Sequence, residues 1–166
     1  RANRFVLSWR LASALGAARE GSLGAAVDVH HNTVSLETVE GRPVFLHRKG
    51  AAPAHPGART RGGGSPGAPA WVVRGRGPAE TLRSVAHGAG RRIVRSEAIS
   101  RLRPKYTRRS LERTALGGRV LCEDTGLLYE EHPDAYKPID PVVDALVARG
   151  TATRVASLVP LFTVKL

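Results

Sequence analysis

The chain of 166 residues carries 26 Lys and Arg against 14 Asp and Glu, a formal net charge of +12, with one Cys and no Met. This length suits one domain with a real core, or a piece of a larger one. A single cysteine excludes an internal disulfide and favours a reducing, cytoplasmic setting. No apolar run is long enough to span a bilayer. The lack of methionine, even at position 1, indicates a fragment or a processed product.

The first half of the chain contains strand signals between a helix and a loop. Apolar residues at helical spacing over 3–16 predict an amphipathic helix and not a signal peptide. Apolar and polar residues alternate on both sides of positions 40–41, which predicts two strands joined by a turn. The Gly, Pro, Ala and Arg of 51–70 predict a loop, and "AWVVRG" after it predicts a short strand. A helical or extended stretch at 79–86 leads to the turn HGAGR.

The middle of the second half contains two helix signals and one strand signal. Ser96 is a predicted cap of a short helix, "SEAISRL". Thr107 is a predicted cap of a second, "TRRSLERTALGG", which ends on paired glycines. "RVLCE" follows as a predicted strand.

The last quarter begins with a strong helix start. Asp140 followed by Pro141 predicts a capped first turn, and Gly150 closes that helix. The final "TRVASLVPLFTVKL" predicts a strand. No internal repeat is present. The whole pattern predicts an α+β fold whose strands dominate the first half.

The positive charge is concentrated in one stretch. Arginine forks suit phosphate oxygens, so a polyanion is the expected partner, nucleic acid first. The alternative is a GC-rich genome that encodes arginine wherever a solvated cation suffices. Against Glu97 and Glu112, the stretch carries Arg83, Arg91, Arg92, Arg95, Arg101, Arg103, Lys105, Arg108, Arg109, Arg113 and Arg119.

"VAHGAGRRIVRS" is the segment most suggestive of chemistry. Glycines at 88 and 90 let backbone amides approach a phosphate closely. Arg91 and Arg95, four residues apart, could present their guanidinium groups on one side. The imidazole of His87 could bind phosphate, transfer a proton or attack phosphorus. Alternatively, His87 is an ordinary turn histidine in a basic loop.

Other motifs are weaker by themselves. His30 and His31 are adjacent on a predicted strand and face opposite sides, so one of them at most can face a given site. The remaining histidines lack metal-ligand spacing, and no complete metal site can be assembled from local motifs. "HRKGA" is basic, and "GGGSPGAPAW" is a glycine-rich loop that could hold phosphate but is not a P-loop. Tyr136, Lys137 and Lys165 are ordinary residues whose local sequence does not by itself indicate a functional role.

The order of the motifs is far more specific than any one of them. "VDVHHN", "LHRKGAAPA", "GSPGAPAWVVRGRG", "AHGAGRRIVRSEA", "LERTALGGRVLCED", "LLYEEHPDAYKPIDPVVDALV" and "PLFTVK" follow one another along the chain. This order resembles the C-terminal part of the RtcB family of RNA ligases over essentially the whole chain. "RKGAAPA", "LERTALG" and "LLYEE" are most similar to the branch associated with release factor H.

The resemblance implies an RtcB-like ligase fold and a specific reaction. Family members join RNA ends bearing a 2′,3′-cyclic phosphate or 3′-phosphate to a 5′-hydroxyl, using GTP and Mn²⁺. The histidine of HGAGR becomes guanylylated and passes GMP to the RNA 3′-phosphate. His87 is then the nucleophile and His31, which precedes Asn, a manganese ligand. The nucleotide pocket would include Ser65, Ala89, Gly90, Tyr136 and Lys165, while Arg91 and Arg95 would face phosphates.

The sequence departs from the family pattern at several positions. Most metal ligands and the "GNHF" nucleotide contacts belong to the family's N-terminal half, and Cys122 lies outside that pattern, as a predicted buried strand residue. The departures inside the matching motifs are Pro66 for Met, Ala70 for Ser, Val94 for Ser and Leu166 for Gly.

Three readings remain open. The chain is the C-terminal piece of a full ligase, an inactive relative that keeps an RNA-binding surface, or a partner module that completes a site with a second chain. The missing methionine favours the first, and the changes in the glycine loop favour the second. In the first case the chain alone is not a competent enzyme.

Overall fold

The computed structural model describes residues 2–19, 27–30 and 32–165. Within these ranges the helices are α1 (Ala2–Ala14), α2 (Arg95–Leu102), α3 (Arg108–Leu111), α4 (Thr125–Glu130) and α5 (Asp140–Ala148). The strands are β1 (Asn32–Val39), β2 (Arg42–Lys49), β3 (Ala51–Pro53), β4 (Arg59–Gly63), β5 (Ala70–Gly75), β6 (Ser84–Ala86), β7 (Arg119–Cys122), β8 (Ala152–Leu158) and β9 (Phe162–Lys165). This mixture of short helices and strands confirms the predicted α+β class.

The first helix and the hairpin that follows it are as predicted. β1 and β2 pair antiparallel, and Glu40 and Gly41 between them have φ of +50° and +76°. Positive φ at both central residues is what a two-residue hairpin turn requires. Leu36 and Phe45 are cross-strand partners on this hairpin, yet 66% and 72% exposed. The hairpin therefore presents apolar side chains that the described residues leave uncovered.

The prediction of a loop through 51–70 is wrong in part, because β3 and β4 lie inside it. β3 pairs antiparallel with β6, and β4 with β5. The small residues that suggested a loop serve instead as points of close backbone approach. Ala52 and Ala54, for example, are both fully buried.

Two apolar clusters form the core of the described chain. The first lies among β3, β5, β6 and α5, and the second among α2, α3, α4 and the 3₁₀ turn at 133–135. β4, β5 and β8 form a three-stranded antiparallel sheet. The buried members of the first cluster are Ala52, Ala54, Val73, Val85, Ala89, Ile139, Val143 and Ala152. Those of the second are Ala98, Leu102, Leu111, Leu128, Tyr129 and Ala135.

Helix starts in the second half were predicted with mixed success. The prediction that Ser96 caps α2 is wrong, since the helix begins at Arg95 after an extended Val94. Thr107 caps α3 as predicted, and its hydroxyl accepts from the Ser110 N–H at 3.3 Å. α3 ends at Leu111, well before the paired glycines, because the chain turns back to form β7.

An aspartate stands at the start of both α4 and α5, but of these two only Asp124 caps its helix. Sequence patterns did not predict α4, although Asp124 accepts from the Gly126 N–H at 2.7 Å and caps it. α5 ends before Gly150, which has φ of +67°, as predicted. The predicted capping role of Asp140 is wrong, because its carboxylate instead accepts from Trp71 Nε1 at 2.7 Å.

The C-terminal stretch predicted as one strand forms two. β8 pairs antiparallel with β5, whereas β9 pairs parallel with β7, the strand predicted from "RVLCE". The β7–β9 register sets Lys165 opposite Cys122. Among the helices in the described ranges, none has the length and hydropathy needed to cross a membrane.

Candidate functional site

The HGAG segment lies between two other glycine-containing segments. The His87 N–H donates to Gly50 O at 3.1 Å, and His87 O accepts from the Gly63 N–H at 2.9 Å. The Ala89 N–H in turn donates to Gly63 O at 3.1 Å. The half-buried His87 is thereby held by the last glycine of "HRKG" and the middle glycine of "GGG". Three motifs that lie far apart in the sequence meet at one point.

Close backbone approach explains the glycine at 88. A Cβ there would lie 3.1 Å from Gly63 O, which the hydrogen-bonded backbone cannot easily avoid. Ser65, on the same glycine-rich segment, is 7% exposed, and its Oγ has no hydrogen-bond partner among the described residues. A buried hydroxyl without a partner costs about 1–3 kcal/mol. A ligand could supply the missing partner, and the resemblance implies that Ser65 belongs to the nucleotide pocket.

Arg91 and Tyr136, predicted to serve phosphate and nucleotide, lie side by side. Arg91 Nη1 donates to Tyr136 Oη at 2.8 Å, and its Cζ lies 4.6 Å from the ring centroid. Arg91 Nη2 also donates to the backbone oxygen of Glu130. The Lys137 N–H donates to Gly90 O at 3.0 Å, so the "AYK" segment runs beside HGAGR.

Glu131 is the residue that sequence reasoning missed, although it belongs to the quoted motif "LLYEE". Its carboxylate accepts from Tyr136 Oη at 2.5 Å and from Arg95 Nη2 at 3.0 Å. Lys165 Nζ lies 3.4 Å away and Arg91 Nη1 3.5 Å away. The Glu131 side chain is 12% exposed. Four predicted site residues thus converge on one nearly buried carboxylate.

The electrostatics of this cluster follow from its contacts. Burial by itself raises the pKa of Glu131, but the Tyr136 hydrogen bond, the Lys165 charge and the Arg95 hydrogen bond outweigh it and hold that pKa below its ordinary value. Burial, together with the hydrogen bond to Glu131, raises the pKa of Tyr136 to about 12. Around neutral pH, therefore, Glu131 is a carboxylate and Tyr136 a phenol that donates to it.

A cavity of about 330 Å³ opens beside this cluster. Glu131, Lys165 and Pro66 of the glycine loop line it. The lining also includes apolar groups, such as Leu111 and Val120, and polar groups, such as Tyr106, Ser110 and Asp134. Such mixed lining is typical of a small-molecule pocket.

His132 supports the turn that carries Tyr136, and it makes stability depend on pH. Its Nδ1 accepts from the Asp134 N–H at 3.1 Å, and its ring lies 4.1 Å from that of Tyr106. Burial lowers the pKa of His132, although the charge of Asp134 opposes this shift. Protonation would also remove the Nδ1 acceptor.

Acidification is therefore expected to destabilise the protein through His132. Because its pKa is lower in the folded than in the unfolded state, the unfolded chain binds more protons and stability falls as pH drops below about 6.5. Between pH 7.5 and pH 5.5, we expect the free energy of unfolding to fall less in His132→Asn than in the wild type, by about 1 kcal/mol or less. Urea unfolding at pH 7.5 and pH 5.5 measures it, with exposed His47→Asn as the control. Identical pH slopes for the wild type and His132→Asn would contradict the assignment.

The manganese site predicted from His31 cannot be assembled from the described residues. His31 itself lies outside them, and among those described no three His, Cys, Asp or Glu side chains are grouped to hold a metal ion. His30 is engaged elsewhere, since its Nε2 lies 2.8 Å from Arg4 Nη2. Cys122 lies on β7 as predicted and is half-buried, with Sγ donating to Asp124 O at 3.2 Å.

The basic stretch is partly neutralised and partly exposed. Arg101 pairs with Glu97 at 2.8 Å and Arg108 with Glu112 at 3.5 Å, each one helical turn apart. Such surface pairs are weak. The exposed cations include Arg83, Arg103, Lys105, Arg109, Arg113 and Arg119.

Known proteins are similar in sequence to most or all of this chain. The family described as "tRNA-splicing ligase RtcB" matches residues 1–166. The chain is 45% identical over 139 residues to "RNA-splicing ligase RtcB2" of Escherichia coli, covering 84% of this chain and 36% of that protein. It is 34% identical to "RNA-splicing ligase RtcB" of Mycobacterium tuberculosis, covering 99% and 42%. To "tRNA-splicing ligase RtcB" of Methanocaldococcus jannaschii it is 31% identical, covering 89% and 17%. The chain thus spans less than half the length of these relatives.

Proposed function

Since this chain belongs to the RtcB family, we propose that it is the C-terminal portion of a GTP- and Mn²⁺-dependent ligase. That ligase joins RNA ends bearing a 2′,3′-cyclic phosphate or 3′-phosphate to 5′-hydroxyl ends. The arrangement around His87 carries the proposal. Its backbone is held between Gly50 and Gly63, and Gly63 lies two residues before Ser65, whose buried hydroxyl has no partner within the described part of the chain.

His87 performs the covalent step in this proposal. An imidazole nitrogen attacks the α-phosphorus of GTP, a P–N bond forms, and the P–O bond to pyrophosphate breaks. His87 then passes GMP to the RNA 3′-phosphate. Ala89 and Gly90 lie against the nucleotide, and the bond from Lys137 to Gly90 supports having Tyr136 beside them.

The cluster around Glu131 supports an anionic substrate. Arg91, Arg95 and Lys165 face the carboxylates of Glu130 and Glu131, so one net positive charge remains uncompensated. Guanidinium groups fixed in advance can stabilise charge that develops on a phosphate. The cavity beside Lys165 offers room for part of a nucleotide.

The manganese requirement is assigned to a site that this chain completes only in part. His31 would supply one imidazole ligand, and the described residues do not fit the ion without others. The N-terminal portion of the ligase supplies the rest in this proposal.

Uncovered apolar residues support a further portion that packs against this one. Leu36 and Phe45 on the hairpin, Leu158 on β8 and Leu161 after it are all more than half exposed. Apolar patches of this kind usually mark interfaces. The relatives' greater length supports a preceding ligase portion as their cover.

A chimera tests the proposal. The N-terminal portion of the RtcB2 relative is joined to this chain and given oligoribonucleotides with 3′-phosphate and 5′-hydroxyl ends, GTP and Mn²⁺. We expect ligation by the chimera and none by the chain alone, measured as the joined product on a denaturing gel. The parent RtcB2 protein serves as the positive control.

The alternative is an inactive RNA-binding remnant, which Pro66 and Ala70 in the glycine loop favour, or a partner module of a split ligase. A folded chimera without ligation, next to an active parent, would contradict the ligase. RNA affinity of the chain that falls steeply with salt would then support the remnant. Affinity insensitive to salt would exclude the basic stretch as the contact surface.

A further inference from the structure

We propose that Glu131 is the positioning residue of this site: it holds Lys165 and Tyr136 of the nucleotide pocket in fixed relation to the arginines that face phosphate. This inference rests on the proposed function and deepens it. Glu131 itself need not touch the substrate. Its carboxylate links side chains that come from three separate parts of the chain.

The two oxygens of the Glu131 carboxylate contact different partners. Oε2 accepts from Tyr136 Oη at 2.5 Å and lies 3.4 Å from Lys165 Nζ. Oε1 accepts from Arg95 Nη2 at 3.0 Å and lies 3.5 Å from Arg91 Nη1. One oxygen therefore contacts the two residues assigned to the nucleotide pocket, and the other contacts the two arginines assigned to phosphate. Rotation of this carboxylate would disturb both together.

Lys165 lies at the end of a short strand that makes few contacts among the described residues. It ends β9, a strand of four residues paired parallel with β7. Thr163 Oγ1 donates to Pro66 O at 3.4 Å, a long hydrogen bond. A flexible lysine at the end of such a short strand needs a counter-ion to keep one position. Glu131 supplies it.

Tyr136 depends on Glu131 through its hydroxyl group. Its hydroxyl accepts from Arg91 and donates to Glu131, so both functions of the phenol are used. The Arg91 guanidinium also lies over the ring, at 4.6 Å from its centroid. Without the carboxylate, the phenol loses its acceptor and the two arginines and the lysine repel one another across a half-buried space. Networks of this kind weaken as a unit when one member is removed.

Glu131→Gln is the test, because glutamine keeps the shape and loses the charge. Its matched control is Glu130→Gln, since Glu130 is the preceding residue on α4 and pairs through its side chain with Arg95 at 3.3 Å. The first measurement is acylation of Lys165 by dilute acetic anhydride, followed by peptide mass spectrometry. Exposed Lys137 in the same protein is the internal reference.

We expect Glu131→Gln to raise the acylation rate of Lys165 several-fold, because the ammonium is no longer held by a carboxylate. Lys137 should react at an unchanged rate in every variant, and Glu130→Gln should leave Lys165 as in the wild type. Equal thermal midpoints exclude a general loosening of β9. Unchanged labelling of Lys165 in Glu131→Gln would overturn the proposal.

The second measurement is the affinity of the chimera for GTP. Glu131→Gln is expected to weaken it about tenfold, the size of effect that loss of one charged hydrogen bond produces. Unchanged or tighter binding would overturn the positioning role, since tighter binding would mean that Glu131 competes with the substrate. If the wild-type chimera does not bind GTP while Lys165 labelling changes as expected, the proposed function fails and the ion-pair role of Glu131 stands.

Discussion

Replacing His87 with alanine is expected to abolish GMP transfer to the protein and to lower ligation by more than about a thousandfold. Alanine lacks the imidazole and therefore leaves no nucleophile at position 87, whereas the bonds of residue 87 to Gly50 and Gly63 are made by main-chain atoms. These two bonds should therefore survive the substitution. Intact mass of the chimera after incubation with GTP and Mn²⁺ measures the GMP adduct directly.

The control for this experiment is His47→Ala. His47 lies exposed on β2, close in sequence to the "RKG" motif but outside the site assigned here. Its adduct should equal that of the unsubstituted chimera. An adduct that persists in His87→Ala would refute the assignment of the nucleophile, and peptide mapping of that adduct would identify the residue that carries GMP.

The largest expected effect on stability comes from Gly75→Ala. A Cβ at Gly75 would lie 2.4 Å from Ala54 O and 2.6 Å from Ala54 Cα, both backbone atoms of a fully buried residue. The segment after Ala54 is bonded to β5, because the Gly75 N–H donates to Ala58 O at 2.8 Å. Ala54 therefore cannot move away from Gly75 without disturbing this hydrogen bond. We expect a loss of about 3 kcal/mol or more in the free energy of unfolding, measured by urea denaturation.

Gly62→Ala is the matched control, since Gly62 is a buried glycine on β4 in the same sheet. A Cβ there would meet Ile139 Cδ1 at 3.8 Å and Val143 Cγ2 at 3.9 Å, which is ordinary contact. Its cost should stay below about 1 kcal/mol. Equal losses for the two variants would show that strand propensity, and not the approach of β5 to Ala54, governs the penalty.

Local pattern was sufficient wherever a short stretch of chain decides its own conformation. The turn at Glu40 and Gly41 follows from two flanking alternating strands, and the end of α5 from Gly150. Pattern failed where side chains had a stronger distant partner. Asp140 has the sequence of a helix cap, yet it accepts from Trp71, 69 residues away.

In the segment 51–70, amino-acid composition could not distinguish a loop from strands. Glycine and alanine in loops and in closely packed strands have the same composition, and only the neighbouring backbone distinguishes them. β4 becomes a strand because β5 pairs with it, and Ala54 is buried because Gly75 lies against it.

The candidate site divides in the same way. The residue types of His87, Arg91 and Arg95 suggested a phosphate-handling site, and the order of the motifs along the chain gave the RtcB resemblance. The role of Tyr136 followed from that resemblance alone. The convergence of site residues on Glu131 was not visible, because an acidic residue in "LLYEE" is ordinary until three cations from distant parts of the chain and the nearby phenol of Tyr136 surround it. Hydrogen bonds and ion pairs act over a few ångströms. The sequence by itself therefore determines which chemical groups are present. Which of them form hydrogen bonds and ion pairs with one another depends on how the fold brings together β9, α4 and the HGAGR turn.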